Sequence, residues 1–271
     1  MKKGSIFVTF LLFLTLLLTA CGTTEKSAQP ANQETESKNL LEKIKAEGKI
    51  KIGTEGTYAP FTYHDGSGKL TGFDVEIAEE VASRLGVKPE FIETQWDGMF
   101  AGLDSNRFDL IANQVGITPE RQEKYDFSES YIVSKPVLIV RNDNDTIKAF
   151  NDINGKKSAQ SLTSNLVNIA KSYGAEIVGV EGFNQAIDLL ISKRVDVTVN
   201  DKLSYLDLIK QKPDSPLKVV EELDDPVKNG FMFRKDNKEL IDAVNKALLE
   251  LKNDGTYLSI SQKYFGTDVS K

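Results

Sequence analysis

The chain has 271 residues, with 40 acidic against 34 basic side chains, a formal charge of −6, one His and one Cys. Acidic charge without basic clusters argues against nucleic acid or a membrane-binding face as a partner. A lone His and a lone Cys leave no transition-metal site and no Ser/His/Asp or Cys/His catalytic set, so neither metal nor cofactor is expected.

Lys2 and Lys3 precede an apolar run from Ile6 to Leu18, followed by Leu18-Thr19-Ala20-Cys21. The run is shorter than the roughly 18 residues of a spanning helix and has the charged start and small-residue end of a secretory signal. A Cys directly after the small residues follows the pattern of a bacterial lipoprotein signal. Cleavage before Cys21, with lipid on its thiol, is therefore expected; an ordinary signal with an incidental Cys is the alternative. Losing residues 1–20, and with them Lys2 and Lys3, takes the charge from −6 to −8. Gly22 to Lys38 contains no large apolar residue, so residues 21–39 read as lipidated Cys and flexible tether. The remainder of the chain contains no Cys, so it has no disulfide and must be held by its core.

Lys49 to Gly53 alternates like a strand. Phe73, Ile77, Val81 and Leu85 fall at four-residue spacing before Gly86, which predicts an amphipathic helix. Phe91-Ile92 suggests a strand, Trp96 to Asp104 a helix, and Phe108 to Ala112 a strand. Strands alternating with helices predict a parallel α/β sheet.

Asn113 to Arg121 (Asn-Gln-Val-Gly-Ile-Thr-Pro-Glu-Arg) carries that strand into a helix start, with Thr118 as N-cap and Pro119 in the first helical position. Free backbone N–H groups beside a guanidinium can grip a carboxylate. A surface helix whose Arg121 pairs with Glu120 or Glu123 is the alternative reading.

The second half repeats the scheme, with strands at Lys157–Gln160, Glu176–Val180 and Val195–Val199 and helices at Asn165–Tyr173 and Phe183–Ser192. Leu103 to Asn113 (Leu-Asp-Ser-Asn-Arg-Phe-Asp-Leu-Ile-Ala-Asn) is echoed by Leu190 to Asn200 (Leu-Ile-Ser-Lys-Arg-Val-Asp-Val-Thr-Val-Asn). Each copy reads as a helix end, a tight turn and a strand ending on a polar residue. Ligands of open α/β sheets bind outside strand carboxyl ends, so facing lobes place Asn113-Gln114 and Asn200-Asp201 on opposite walls of a cleft. Asp201 is then the partner for a ligand ammonium and Arg121 for its carboxylate; Asp201 also reads as N-cap of a helix from Lys202 to Lys210. Gly230 to Arg234 suggests a returning strand. It leads to a helix from Lys238 to Lys252 and, after Gly255, a short one with Tyr257, Ile260 and Tyr264.

Gly56-Thr57-Tyr58-Ala59-Pro60-Phe61, Gly72-Phe73-Asp74-Val75, Trp96-Asp97-Gly98, Ile117-Thr118-Pro119-Glu120-Arg121, Tyr125-Asp126-Phe127-Ser128, Arg194-Val195-Asp196 and Asp254-Gly255-Thr256-Tyr257 occur in that order. By these the chain resembles the solute-binding proteins of polar amino-acid ABC importers from about Lys49 to Gly266. The resemblance implies a two-lobed α/β fold of the periplasmic-binding-protein type (type II), with two hinge strands and a cleft. Lobe 1 would be residues 40–133 plus 230–271, and lobe 2 residues 134–229. It matches Arg121 to the carboxylate clamp, Asp201 to the ammonium acid, and Tyr58 and Trp96 to the walls. Asn113, Gln114 and Gly116 match strand-end contacts, Ser164 a helix-start contact in lobe 2, and Glu55 an acid found with basic ligands. One departure is Leu162, where many relatives have Gly.

Thr54 to Tyr58, Glu93 to Asp97, Ala112 to Gly116 and Ser158 to Asn165 look like segments of Gram-positive L-cystine-binding lipoproteins. Glu55, Gln95, Gln114 and Gln160 are available for the far end of such a ligand. The resemblance implies a monomer, anchored by lipid at the outer face of the membrane, that hands its ligand to an ABC permease and ATPase. Glutamine, arginine or histidine are alternative ligands. An exported enzyme similar to cyclohexadienyl dehydratase, with Glu55 as general acid, is a rival reading. So is a receptor's sensing module, which would usually be followed by a membrane span.

Overall fold

The computed structural model describes residues 39–271. The expected signal segment, Cys21 and the tether as far as Lys38 lie outside the described residues. α1 (Leu40–Glu47), capped by the Asn39 side chain, leads into β1 (Lys49–Thr54). A small antiparallel sheet comes next, of β2 (Thr57–Tyr58), β3 (Thr62–His64) and β4 (Leu70–Thr71). Then come α2 (Phe73–Arg84), β5 (Lys88–Glu93), α3 (Trp96–Asp104), β6 (Leu110–Ile111), α4 (Pro119–Lys124) and β7 (Tyr125–Phe127). The chain continues through β8 (Ile132–Ser134), β9 (Pro136–Arg141), β10 (Lys157–Gln160), α5 (Asn165–Ser172), β11 (Glu176–Gly179), α6 (Phe183–Ile191), β12 (Thr198–Asp201) and α7 (Lys202–Gln211). It ends in β13 (Leu217–Glu222), β14 (Val227–Asn229), β15 (Met232–Arg234), α8 (Lys238–Asn253) and α9 (Thr256–Phe265).

The fold is the two-lobed, periplasmic-binding-protein type. In the first lobe the sheet order is β5-β1-β6-β15-β7. β5, β1 and β6 run parallel, and β15 runs antiparallel to both β6 and β7. The second lobe orders β12-β9-β13, all antiparallel, and joins β10-β11 through a parallel bridge between Ser158 and Val197. The expected parallel sheet is thus corrected to mixed sheets, because each lobe includes a strand, β15 or β9, that enters directly from a crossing strand and runs antiparallel to its neighbours. β12 also begins three residues later than expected, at Thr198. β9 is an element the sequence pattern did not indicate: its continuous apolar run lies between two strands, buried on both faces, with Pro136 at its first position.

Hydrophobic packing follows the same division. One set of core residues runs from Ile44 to Ile132 and from Phe231 to Val269, and the other from Val137 to Leu217. The expected stripe on α8 is buried in full: Leu240, Val244, Ala247, Leu248 and Leu251. Phe108 is clasped by two glycines. A Cβ at Gly53 or Gly102 would stand 2.6 or 2.5 Å from its ring. The polypeptide crosses between lobes at β8 and β14, which pair antiparallel with each other.

The sequence echo is a structural repeat. Asn106 and Lys193, at the same offset, both adopt left-handed backbone, with φ of 60° and 61°. In each copy the Asp after the turn bonds the neighbouring strand twice. The Asp109 N–H donates to the Lys51 carbonyl and its carboxylate accepts from the Lys51 N–H. Asp196 does the same with Lys157. Each corner thereby fixes where its strand ends, which is where the cleft begins.

Candidate functional site

A cleft of about 600 Å³, its open mouth included, lies beyond those strand ends. Its first-lobe wall is Glu55, Tyr58, Trp96, Asn113 and Gln114. The second lobe contributes the start of α5 (Ser161, Ser164, Asn165, Leu166), the start of α6 (Gly182, Phe183) and the end of β12 (Asn200, Asp201). Pro136, Val227 and Asn229 close the side where the chain crosses between lobes.

Asn113, at the end of the first repeat, is buried and used twice. Its Oδ1 accepts from the Glu55 N–H at 2.8 Å, and its Nδ2 donates to Glu55 Oε2 at 2.6 Å. Glu55 is pushed up to about 7, chiefly by burial; the Asn113 bond opposes the shift and Asp97 adds to it. Gln114 adopts left-handed backbone (φ 51°), which is uncommon outside Gly. Its N–H donates to Asp74 Oδ2 at 2.5 Å. Its side-chain Nε2 then crosses the cleft to Asp201 Oδ2 at 3.1 Å, leaving the buried Oε1 without a partner.

Asp201 directly follows the second repeat and is 8 % exposed. Its Oδ1 accepts from the Leu203 N–H (2.7 Å), capping α7, and from Ser134 Oγ (2.9 Å). The cap reading and the cleft reading therefore hold together. Burial pushes its carboxyl up to about 6 against the pull of these hydrogen bonds. Tyr58 donates across the cleft to Asn200 Oδ1 at 2.8 Å and packs edge-on against Phe183, their centroids 6.2 Å apart. Trp96 is buried, with Phe100 perpendicular to it.

Arg121 stands one step behind this wall. Thr118 caps α4 by accepting from the Arg121 N–H, as the sequence indicated. The guanidinium lies 5.5 Å from the Trp96 ring centroid and 5.3 Å from that of Phe100. It donates to the carbonyls of Gly116 (2.9 Å) and Thr163 (3.1 Å). It pairs with neither Glu120 nor Glu123, which removes the surface-helix alternative. It opens onto a recess shared with Thr118, Lys124, Ser164 and Asn165, and the last two also line the main cleft. Burial lowers its pKa to about 10, with only Glu120 pulling the other way. Gly116 is likewise behind the wall, bridged to Asn229, and a Cβ there would stand 3.1 Å from Val227.

The four polar groups considered for the far end of a ligand separate. Glu55 and Gln114 face the cleft. Gln95, exposed at the N-cap of α3, and Gln160, bonded to Ser158 Oγ, do not line it. Ser164 lines it while capping α5 through the Leu166 N–H. His64 ends β3 and lies 3.3 Å from Glu93. Ser161, Asn165, Gly182, Phe183 and Asn229 were missed. All but Asn229, the last residue of β14, sit in loops and helix starts of the second lobe, where the available signal was the position after each strand.

Residues 50–267 match the model of the bacterial extracellular solute-binding proteins, family 3. The chain belongs to that family. It is 48% identical to the L-cystine-binding protein TcyA of Bacillus subtilis (strain 168), over 99% of this chain and 100% of that one. As a family 3 protein it is an extracytoplasmic amino-acid-binding component of an ABC importer. Among solved structures, an ancestral arginine-binding protein bound to arginine superposes with a TM-score of 0.76 at 38% identity, covering 81% of this chain and 99% of that one. The L-cystine solute receptor of Neisseria gonorrhoeae, in its unliganded open conformation, gives only 0.58 at 48% identity, covering 86% and 100%. Higher identity with poorer superposition is what a change in lobe disposition produces. The hydrogen bonds from Tyr58 to Asn200 and from Gln114 to Asp201 mark the present arrangement as closed.

Proposed function

We propose that this family 3 protein is a lipid-anchored carrier that captures L-cystine by lobe closure and passes it to a membrane permease driven by an ATPase subunit. The observation that carries the ligand assignment is the pair of cleft carboxylates, Asp201 and Glu55, each raised toward neutrality by burial. A buried carboxylate is costly unless a cation meets it. A double amino acid brings two ammonium groups, one for each. In this reading Arg121, where Glu120 is the one acid that offsets the effect of burial, receives a carboxylate from behind the Trp96 ring. Tyr58 and Trp96 cover the sulfur-containing middle, Asn113 orients Glu55, Gly116 lets the backbone approach, and Ser164 presents the start of α5.

The hinge is placed in the paired strands β8 and β14, dividing residues 40–133 plus 230–271 from residues 134–229. Cys21 carries the lipid, the signal peptide is residues 1–20, and the carrier works as a monomer at the outer face of a Gram-positive membrane. Isothermal titration with L-cystine, L-glutamine, L-arginine and L-histidine tests the ligand. Tightest binding to L-cystine is expected, and binding to L-arginine with none to L-cystine would overturn it. That outcome would install the second reading, a basic amino acid, which Glu55 alone also favours because a single side-chain cation would satisfy it.

A further inference from the structure

The turn that enters α5 carries Leu162, a large apolar side chain that is exposed. It is held from the opposite lobe by a side chain outside the cleft lining. Asp97, in the first turn of α3, accepts from the Thr163 N–H at 3.0 Å and from Thr163 Oγ1 at 2.7 Å through Oδ1. Its Oδ2 faces the Leu162 N–H at 3.4 Å. Arg121 takes the remaining polar group of the same residue, the Thr163 carbonyl, at 3.1 Å. Every polar group of Thr163 is thus bonded to the first lobe, by two residues that flank Trp96 and Phe100. The turn itself is closed by a bond from the Ser164 N–H to the Ser161 carbonyl, so it moves as a unit with the start of α5.

We infer that Asp97 is a closure latch: a positioning residue that sets how far the lobes stay shut by gripping the Leu162–Thr163 turn, without touching the ligand. The inference rests on the carrier reading above only in assuming that the lobes open and close. A carboxylate accepting two N–H groups and a hydroxyl makes charge-assisted bonds that exist only when the lobes meet. Such bonds shift the open–closed equilibrium and act on release more than on capture.

The test labels one site on each lobe of the intact chain and measures the distance distribution by pulsed electron paramagnetic resonance, with and without L-cystine. Asp97→Asn and Thr163→Val are compared with wild type. Thr163→Val leaves α3 untouched, so it separates the latch from any effect of Asp97 on that helix. Both variants are expected to move the unliganded distribution toward longer distances. Both should also speed ligand release about threefold to tenfold while the association rate holds, and the double variant should add little to either single one. Unchanged distances and release rates in both variants would overturn the latch. If wild type binds no amino acid, the carrier reading falls, while the unliganded distances still decide the latch.

Discussion

Asp201→Asn separates a binding role from a folding role. In the amide, Oδ1 remains to accept from Leu203 N–H and Ser134 Oγ. The new NH2 faces Gln114 Nε2, but the Gln114 amide can turn and offer its unpartnered Oε1. Gln114 Nε2 then takes the unpartnered place that Oε1 held, so the number of unpartnered buried groups need not rise. Raising the carboxyl from 3.8 to about 6 disfavours the ionised form by about 3 kcal/mol, at about 1.4 kcal/mol per tenfold. The folded-state value is raised, so this contribution to stability is full below 3.8 and is lost as pH rises through about 6. At pH 7 the amide escapes that cost, and weaker neutral hydrogen bonds offset part of the gain. The melting temperature should therefore hold or rise. Binding should behave in the opposite way, because a ligand ammonium loses its only charged partner on that wall, a loss of about 2–5 kcal/mol or roughly 30- to several-thousand-fold in Kd. Titration calorimetry and thermal melts on one preparation read both quantities. Wild-type affinity should also weaken below about pH 6 as Asp201 protonates, more steeply than in the variant, which keeps only the dependence that Glu55 gives to both proteins. A variant that binds within about threefold of wild type (under roughly 1 kcal/mol) would refute the assignment.

Tyr58→Phe removes the bond to Asn200 across the cleft; at about 1 kcal/mol affinity should fall roughly fivefold, seen as faster release in stopped-flow, with the melting temperature unchanged. Asp74 is fully buried and raised to about 7 by desolvation, so its contribution to stability is full below 3.8 and disappears as pH rises through about 7. Asp74→Asn should then gain on wild type in melting temperature between pH 5 and pH 8, and an equal difference at both would contradict the shift. Gly53→Ala should cost about 1–3 kcal/mol in denaturant unfolding by driving a Cβ into the Phe108 ring. Paired with Phe108→Leu it should cost less than the sum of the two changes.

Helices with a long apolar period were legible to within a residue or two: Phe73 to Arg84, Trp96 to Asp104 and Lys238 to Asn253. Strand pairing was not. Alternation of helix and strand does not say whether β12 joins β9 directly, and β9 carries no period because both its faces are covered. Within the site, Asn113, Gln114, Asn200 and Asp201 were legible because the repeat points at them. Arg121 was legible as a helix-start guanidinium, though its place behind Trp96 was not. That place is set by the carbonyls of Gly116 and Thr163, and no sequence pattern records where a carbonyl points. Gln95 and Gln160 failed for a simpler reason: a polar residue beside a strand end can serve as N-cap or bond its own strand as readily as face a cleft.

The two corner repeats explain why a cleft forms, and one difference between them explains how it is closed. Asn106 and Lys193 turn the chain alike, and Asp109 and Asp196 tie it to its neighbour alike. Both repeats then end on Asn, at 113 and 200. Identical corners alone would set like against like across the gap. The next residue breaks the symmetry. Gln114 takes left-handed backbone, is tied to Asp74 and presents an amide donor, while Asp201 takes extended backbone, caps α7 and presents an acceptor. A donor on one lobe facing an acceptor on the other rewards closure, and an acceptor that is also a buried carboxylate rewards it further when a cation enters. Replacing Gln114 with a second acid would set two carboxylates across the gap, which holds the lobes apart until a cation separates them. Gln114→Glu should accordingly open the unliganded protein, seen as longer distances between labels on the two lobes, and make closure depend more steeply on ligand. A closed unliganded population unchanged at pH 8, above the value of about 6 for Asp201, would refute this account of the cleft.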